Sequence, residues 1–268
     1  MPSLIQNIKT QAHFLGSDFN WEIIWQMSKT DLKLRYNGSV LGFLWSLLKP
    51  LSLFVVLNTV FTYLFKSATP YYSLQLFVGL AMWNFFVEGT ASGISSLVAR
   101  AGLLTKQPVP KWAVILSSSL TGFMSFFFQL IILAIFFVIQ GVTPSISALL
   151  LFLLLIFLEY TLIIGIDLIL SPLYVRLRDV VQIWEVALIA GFYLVPVIYP
   201  LSLIPLGMQK AIMVNPLARL IEISKQSLIF GVFPDISYLL TTVSAVVGVF
   251  VLALLVSFRL SRKLTERL

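Results

Sequence analysis

Glu88, Glu159 and Asp167 are the acids whose surroundings could make them chemical groups rather than solvated ones, because each sits in an otherwise apolar stretch. Ionisable side chains at membrane depth are costly and usually face a bundle interior or a water-filled cavity. Two roles therefore stand open, a proton relay or a hydrogen-bonded brace between helices. Glu159 and Asp167 are eight residues apart, which leaves them about 80° out of register on a helix of 3.6 residues per turn. No matching basic or His partner lies within a span, which favours the brace. Other chemistry is excluded more directly. With no cysteine in the chain, disulfides, thiolate metal sites and a Cys nucleophile all fall away. The lone His13 lies in a polar N-terminal segment and reads as a surface residue. There is no GxxxxGK[ST] phosphate loop, no HExxH and no acidic cluster with metal-ligand spacing. No catalytic residue, metal site or cofactor site is expected in this chain, and it cannot hydrolyse ATP by itself.

The elements that position these acids follow from composition. Hydrophobic residues make up 59% of the 268 positions and charged residues 11%, and the mean hydropathy is +0.98. Too little polar surface remains to solubilise a globule of this size, so an all-α integral membrane protein is expected. A helical span needs roughly 20 mostly apolar residues. The uncharged runs are long enough, and too continuous for the alternation of a barrel strand. Residues 112–158 carry no charge and are interrupted only at Gln140-Gly141-Val142-Thr143-Pro144, a tight turn between spans three and four. Residues 236–258 supply span six, and residues 186–204 supply span five with Pro196 and Pro200 inside it. Span two covers residues 73–98 around Glu88, and span one covers residues 41–65 around Lys49. The expected organisation is a single transmembrane domain over residues 1–268. Residues 1–38 form a cytoplasmic N-terminus, 39–260 the six-helix membrane region and 261–268 a basic cytoplasmic tail.

Six spans put both termini on one side, and the positive-inside rule chooses the side. With cytoplasmic termini, only Lys66, Lys210, Arg219 and Lys225 of the 18 Lys and Arg fall outside. The net charge of +7 is then a topology signal with some attraction to anionic lipid. As a footprint for nucleic acid it is weak, because the basic residues are dispersed over loops and tails. The opening MPSLIQNIKT lacks the apolar core of a cleavable signal, so targeting falls to the spans.

Three segments break the rhythm of span and loop. Residues 30–51, TDLKLRYNGSVLGFLWSLLKPL, carry a short amphipathic basic segment straight into span one without a linker. Such a helix is either a membrane anchor or a lever for a soluble partner. Residues 100–112, RAGLLTKQPVPKW, set an apolar pair between basic residues and two prolines, suiting a stiff plug for a cytoplasmic groove or a headgroup-contacting turn. Residues 196–234 are too long for a tight turn and too apolar for a solvated loop. Non-helical backbone at membrane depth survives only beside protein or a water-filled path, so re-entrant half-helices between spans five and six are expected. Small residues such as Gly42, Gly79 and Gly93 suit helix contacts within or between subunits.

The order LKLRYNGSVLGFLWSLLKPL, AGLLTKQPVP, VRLRD, PVIYP and NPLARLIEISKQSLIFG resembles the transmembrane subunit of ABC-2 type polysaccharide exporters, which move O-antigen, teichoic acid and capsule chains out of bacteria. One departure is Val109-Pro110, where an aromatic residue before proline is common in the family. The resemblance implies a homodimer in the bacterial cytoplasmic membrane, joined to two copies of a cytoplasmic ATPase that binds ATP and Mg. A lipid-linked glycan would pass between the two subunits. It also implies that Asp31, Lys33, Arg35 and Tyr36, with Leu103, Leu104 and Lys106, couple to that ATPase.

On that reading Arg176, Arg178 and Asp179 are candidates to receive a pyrophosphate, since Arg offers a planar donor fork for phosphate oxygens; positive-inside anchoring explains the arginines equally well. Aromatic faces stack on sugar rings, so Trp45, Phe54, Tyr63, Trp83, Phe86, Tyr193 and Tyr199 are channel-lining candidates, although interface belts and packing use aromatics too. Leu203 and Ile204 are expected in an outer gate. Three other classes stand beside this one: an ABC-2 exporter of a drug or small lipid, a proton-coupled secondary carrier resting on one of the three acids, and a membrane-embedded enzyme such as a glycan polymerase. The absence of two inverted halves argues against the carrier.

Overall fold

The structure is a computed structural model that describes residues 21–35, 37–64, 70–106 and 109–261. Tyr36, His13 and the basic tail beyond residue 261 lie outside the described residues. Every regular element among the described residues is helical: α1 (Trp21–Arg35), α2 (Trp45–Thr59), α3 (Tyr72–Ala99), α4 (Ala101–Lys106), α5 (Lys111–Ile139), α6 (Ile146–Arg176), α7 (Val180–Leu194), α8 (Leu206–Ile212), α9 (Pro216–Phe230) and α10 (Ile236–Ser261). A π-helical turn over Val60–Leu64 extends α2.

Helix ends follow local chemistry. Gly141, at φ +66°, takes the left-handed conformation that lets α5 stop and the chain reverse. Ser145 caps α6, its Oγ accepting from the Ala148 amide at 3.2 Å. Asn215 caps α9 in the same way through Leu217 at 3.0 Å, with Pro216 at the first helical position and Gly231 at φ +66° closing the other end.

Among the described residues, four helices are long and apolar enough to cross a membrane: Trp45–Tyr63, Lys111–Ile139, Ile146–Arg176 and Ile236–Leu260. Helix α3 has the length, at 28 residues, but mixes Gln75, Asn84 and Glu88 into its sequence. Helix α7 is apolar, but has only 15 residues. The expected span five is corrected here. The helix starts at Val180 and ends at Leu194, so Pro196 and Pro200 lie beyond it rather than inside. A proline has no amide to donate and pushes the preceding residue out of the α region; Val195 accordingly sits at φ −92°, ψ 142°.

Helix α3 is the hub. Behind it, α5 approaches closely because glycines face one another, a Cβ on Gly122 standing 2.8 Å from the Gly89 amide nitrogen, and α6 because Gly89 and Gly93 leave room for Ile163 and Asp167. Between membrane helices such packing replaces the hydrophobic drive available in water. Phe85 stacks on Phe126 with centroids 4.6 Å apart, and Phe77 on Phe136 at 4.9 Å. Helix α10 packs on α6, and α9 on both α3 and α6.

In front, α2 and α7 run antiparallel to α3 on different faces of it. Phe54 meets Phe77 at 5.3 Å and Ser73 Oγ donates to Asn58 Oδ1 at 2.7 Å. On the other side Trp184 Nε1 donates to Thr90 Oγ1 at 3.1 Å, and Trp83 meets Phe192 at 5.9 Å. At 3.6 residues per turn the two contact faces lie roughly 130° apart around α3. The strip between them contains the half-buried Val87 and the exposed Ala91. Helix α7 buries none of its own residues.

Candidate functional site

Helix α1 is tied to the bundle by two charge pairs rather than by its apolar face alone. Arg35 Nη1 meets Glu88 Oε2 at 2.8 Å while its Nη2 donates to Ser92 Oγ at 2.7 Å. Arg100 Nη2 meets Asp31 Oδ1 at 2.5 Å and donates to the Met27 carbonyl at 3.1 Å, and Arg100 Nη1 donates to Ser117 Oγ at 3.0 Å. Ser28 completes the seam, buried and donating to the Ser117 carbonyl at 2.7 Å. These contacts border a cleft of about 910 Å³ between α1 and the C-terminal half of α3, into which Gln26, Thr30, Ser95 and Leu103 also face. Glu88 therefore has a basic partner, supplied by α1 and not by a span.

The other two acids are fully buried. Asp167 Oδ2 accepts from Ser119 Oγ at 2.7 Å, and its carboxyl lies where a Cβ on Gly93 would stand, 1.9 Å from that oxygen. It braces α6 against α3 and α5. Among the described residues, Glu159 has no hydrogen-bond partner for either carboxyl oxygen, and the buried amide of Gln129 is likewise unpartnered. Ser119 with Asp167 sets the antiparallel register of α5 and α6, and the same register brings Gln129 level with Glu159.

Lys225, counted in the sequence only as one of the outer cations, is buried inside the subunit. Its Nζ donates to the carbonyls of Pro196 and, at 3.2 Å, Val197. Gly79 makes room for this, since a Cβ there would meet the Val197 oxygen at 2.9 Å and Lys225 Cε at 3.1 Å. Tyr72 donates to the next carbonyl, Ile198, at 2.7 Å. The proline-broken segment after α7 is thus held by side chains from α3 and α9, a role for which the sequence around Lys225 carries no local signal.

The remaining sequence-derived candidates divide. Asp31 and Arg35 are engaged within the subunit, as above, while Lys33 and Lys106 are exposed. Leu104 packs against the small apolar cluster of the same chain that includes Leu97, Val114 and Val175. Arg176 donates to the Leu260 carbonyl at 2.9 Å, joining α6 to α10. Arg178 lies over the Tyr174 ring at 5.3 Å and, with Asp179, is exposed; Asp179 joins neither arginine in an ion pair. Phe54, Trp83 and Phe86, expected along a channel, are instead buried in the subunit core, because they are the contact residues by which α2 and α7 pack on α3. Trp45, Tyr63 and Tyr193 are exposed, and the half-buried Tyr199 donates to the Tyr193 carbonyl at 3.0 Å. Leu203 is exposed, and the Ile204 carbonyl accepts from Gln209 at 2.7 Å.

Several apolar helices long enough to span, with a basic N-terminal helix clamped beside them, define a multi-pass membrane protein. Over residues 22–229 the sequence matches the family described as ABC-2 type transporter, and the chain belongs to that family. Among curated proteins it is similar to the O-antigen export system permease protein RfbA of Klebsiella pneumoniae, 27% identical over 75% of this chain and 78% of that one. The Myxococcus xanthus protein of the same name is 31% identical over 71% of this chain and 74% of its own length. The polysialic acid transport protein KpsM of Escherichia coli is 23% identical over 75% and 79%.

Proposed function

We propose that this chain is the permease subunit of an ATP-driven exporter that moves a lipid-linked polysaccharide across the bacterial cytoplasmic membrane. The observation that carries the reading is the family match through most of the chain, together with relatives named for export of O-antigen and polysialic acid. In this reading the subunit performs no covalent chemistry, and two copies of a separate ATPase hold ATP and Mg. Helices α3 and α7 add to the four apolar spans to give six crossings with both termini cytoplasmic, and α8 and α9 form the re-entrant stretch at the outer face.

Two copies of the chain assemble around the path. Helix α7 with no buried residue and α2 with Val55, Val56 and Tyr63 exposed are the surfaces that favour such an assembly. A channel surface needs polar groups and aromatic faces that tolerate a sliding polymer, and Tyr63 and Tyr193 supply them. The buried brace of Asp167 with Ser119 and the pairing of Glu88 with Arg35 leave no chain of acids for a proton relay. Closure of the ATPase pair is transmitted through α1 and α4, with Lys33 and Lys106 free to face the partner.

Affinity purification of the subunit in mild detergent, with an ATPase assay in the presence and absence of lipid-linked glycan, tests this reading. A stoichiometric phosphate-loop ATPase whose turnover responds to the glycan is the expected result. A well-folded subunit with no accompanying ATPase overturns it.

A further inference from the structure

Lys49 on α2 and Glu185 on α7 are both exposed, and neither has an ion-pair partner in its own subunit among the described residues. Their depth follows from how the two helices lie along α3. Phe54 against Phe77, and Asn58 against Ser73, bring Lys49 level with Met82. Trp184 against Thr90, and Phe192 against Trp83, bring Glu185 level with Gly89. Both levels fall in the middle part of the 28-residue α3 rather than at its ends. Lys49, counted from the sequence among the cytoplasmic cations, thus lies on the surface of the subunit level with the middle part of α3.

A charged side chain facing lipid near mid-depth costs about 3 kcal/mol on insertion scales, so neither face is suited to lipid. Each needs water or an opposite charge. Helices α2 and α7 occupy different faces of α3 with an open strip between them, which is the arrangement a two-fold axis can close: α2 of one copy comes onto α7 of the other, and the contact occurs twice. The two exposed charges are then of opposite sign on the two surfaces that meet. Their levels differ by seven residues of α3, about 10 Å at 1.5 Å per residue. Both helices run antiparallel to α3, so both Cβ atoms lean the same way, Lys49 toward the Glu185 level and Glu185 away from it; the offset is bridged by the reach of the long lysine chain.

We propose that Lys49 of each copy forms an ion pair with Glu185 of the other, pinning the resting dimer across the transport path at a contact that parts when the path opens. The proposal rests on the homodimer reading above and goes beyond it by naming the pair. Its occupant is a second copy of this chain. An anionic group of the substrate at Lys49 is the rival outcome.

The chain has no native cysteine, which makes the test clean. Full-length K49C and E185C subunits carrying different tags are expressed together with the partner ATPase, and a short bismaleimide is added. The expected product is a crosslink between tags. In cells, K49E and E185K each lower export about tenfold, and the K49E/E185K double variant recovers most of it, the non-additivity that marks a contacting charge pair. The neutral K49M and E185Q variants, checked for unchanged yield and elution volume, lower export in parallel. A double variant no better than the worse single variant overturns the pair. So does loss of export in K49M with none in E185Q, which assigns Lys49 to a substrate anion. Molar mass by light scattering separates the two readings: a wild-type monomer in the complex removes the dimer itself, whereas a dimer without the crosslink removes only the pair.

Discussion

Arg35 and Glu88 are 53 residues apart in the chain and 2.8 Å apart in space, joining the end of the N-terminal helix to the middle of α3. About a quarter to a third of each side chain is exposed, so the pair is partly screened. A double-mutant cycle with R35A and E88A is predicted to give a coupling of about 1 kcal/mol, read from thermal unfolding of the detergent-solubilised protein. On the proposed function, each single variant should also lower export more than ATP hydrolysis, because the helix proposed to couple to the ATPase is loosened while the ATPase itself is unchanged. Additive stabilities with proportional losses of both activities would rule out a latch.

The seam at Asp31 and Arg100 makes a separate prediction. Arg100 serves Asp31, Met27 and Ser117 at once, and its guanidinium is the more buried partner, with 15% of the side chain exposed. R100A leaves Asp31 facing the bundle without its cation and is predicted to destabilise by about 2 kcal/mol, more than D31A with R100K does. Limited proteolysis of α1 reads the same event: cleavage within residues 21–35 should rise in R100A. Unchanged cleavage would show that apolar contacts alone hold the helix.

Gly93 and Asp167 define a fit with no slack, since a Cβ at Gly93 would stand 1.9 Å from a carboxylate oxygen that is bonded to Ser119. G93A is predicted to destabilise by about 2 to 3 kcal/mol, and shortening the opposing side chain in G93A/D167S should return a large part of that loss. S119A removes the hydroxyl that donates to a buried carboxyl and costs about 1 to 3 kcal/mol. If G93A melts with the wild type, the three-helix contact is looser than this geometry.

Much of this arrangement is legible in the sequence, for physical reasons. The long uncharged runs declare α5, α6 and α10, and Gly141 with its neighbours declares the turn between α5 and α6, because apolar length and left-handed glycine are local properties. The broken stretch after residue 195 is legible as broken, since two prolines four residues apart cannot continue a helix. What holds it is not: Lys225 reads as one more cation until tertiary contact brings it under the Pro196 and Val197 carbonyls. The partners of Asp31 and Glu88 are hidden for the same reason, lying 69 and 53 residues away. Aromatic residues mislead most, because Trp83 and Phe86 at helical spacing serve packing on α7, and no local signal separates that from a sugar-facing stripe.

Lys225 is predicted to be a positioning residue for the segment after α7. K225M removes the donors to two carbonyls of a proline-broken turn, and should cost about 2 kcal/mol of stability while increasing reactivity of a cysteine introduced at Leu203. K225R keeps the charge but cannot fit beside Gly79, where the lysine Cε already lies 3.1 Å from a would-be Cβ, so it should resemble K225M more than the wild type. A K225M protein with normal melting and unchanged labelling at position 203 would show that Tyr72 and packing suffice.

Arg176 and Arg178 stand two residues apart yet are predicted to behave differently. Arg176 donates to the Leu260 carbonyl of α10, so R176A should lower stability by about 1 kcal/mol and loosen the contact between α6 and α10. Arg178 lies over the Tyr174 ring, at 5.3 Å, and is exposed, so R178A should leave the melting temperature within a degree or two. If Arg178 receives the phosphate of a lipid-linked substrate, as its exposed guanidinium at the end of α6 suits it to do, R178A lowers export at limiting substrate, and R178K, which loses the planar fork, restores little. Equal export by R178A and wild type at every substrate level would leave Arg178 a membrane-surface anchor.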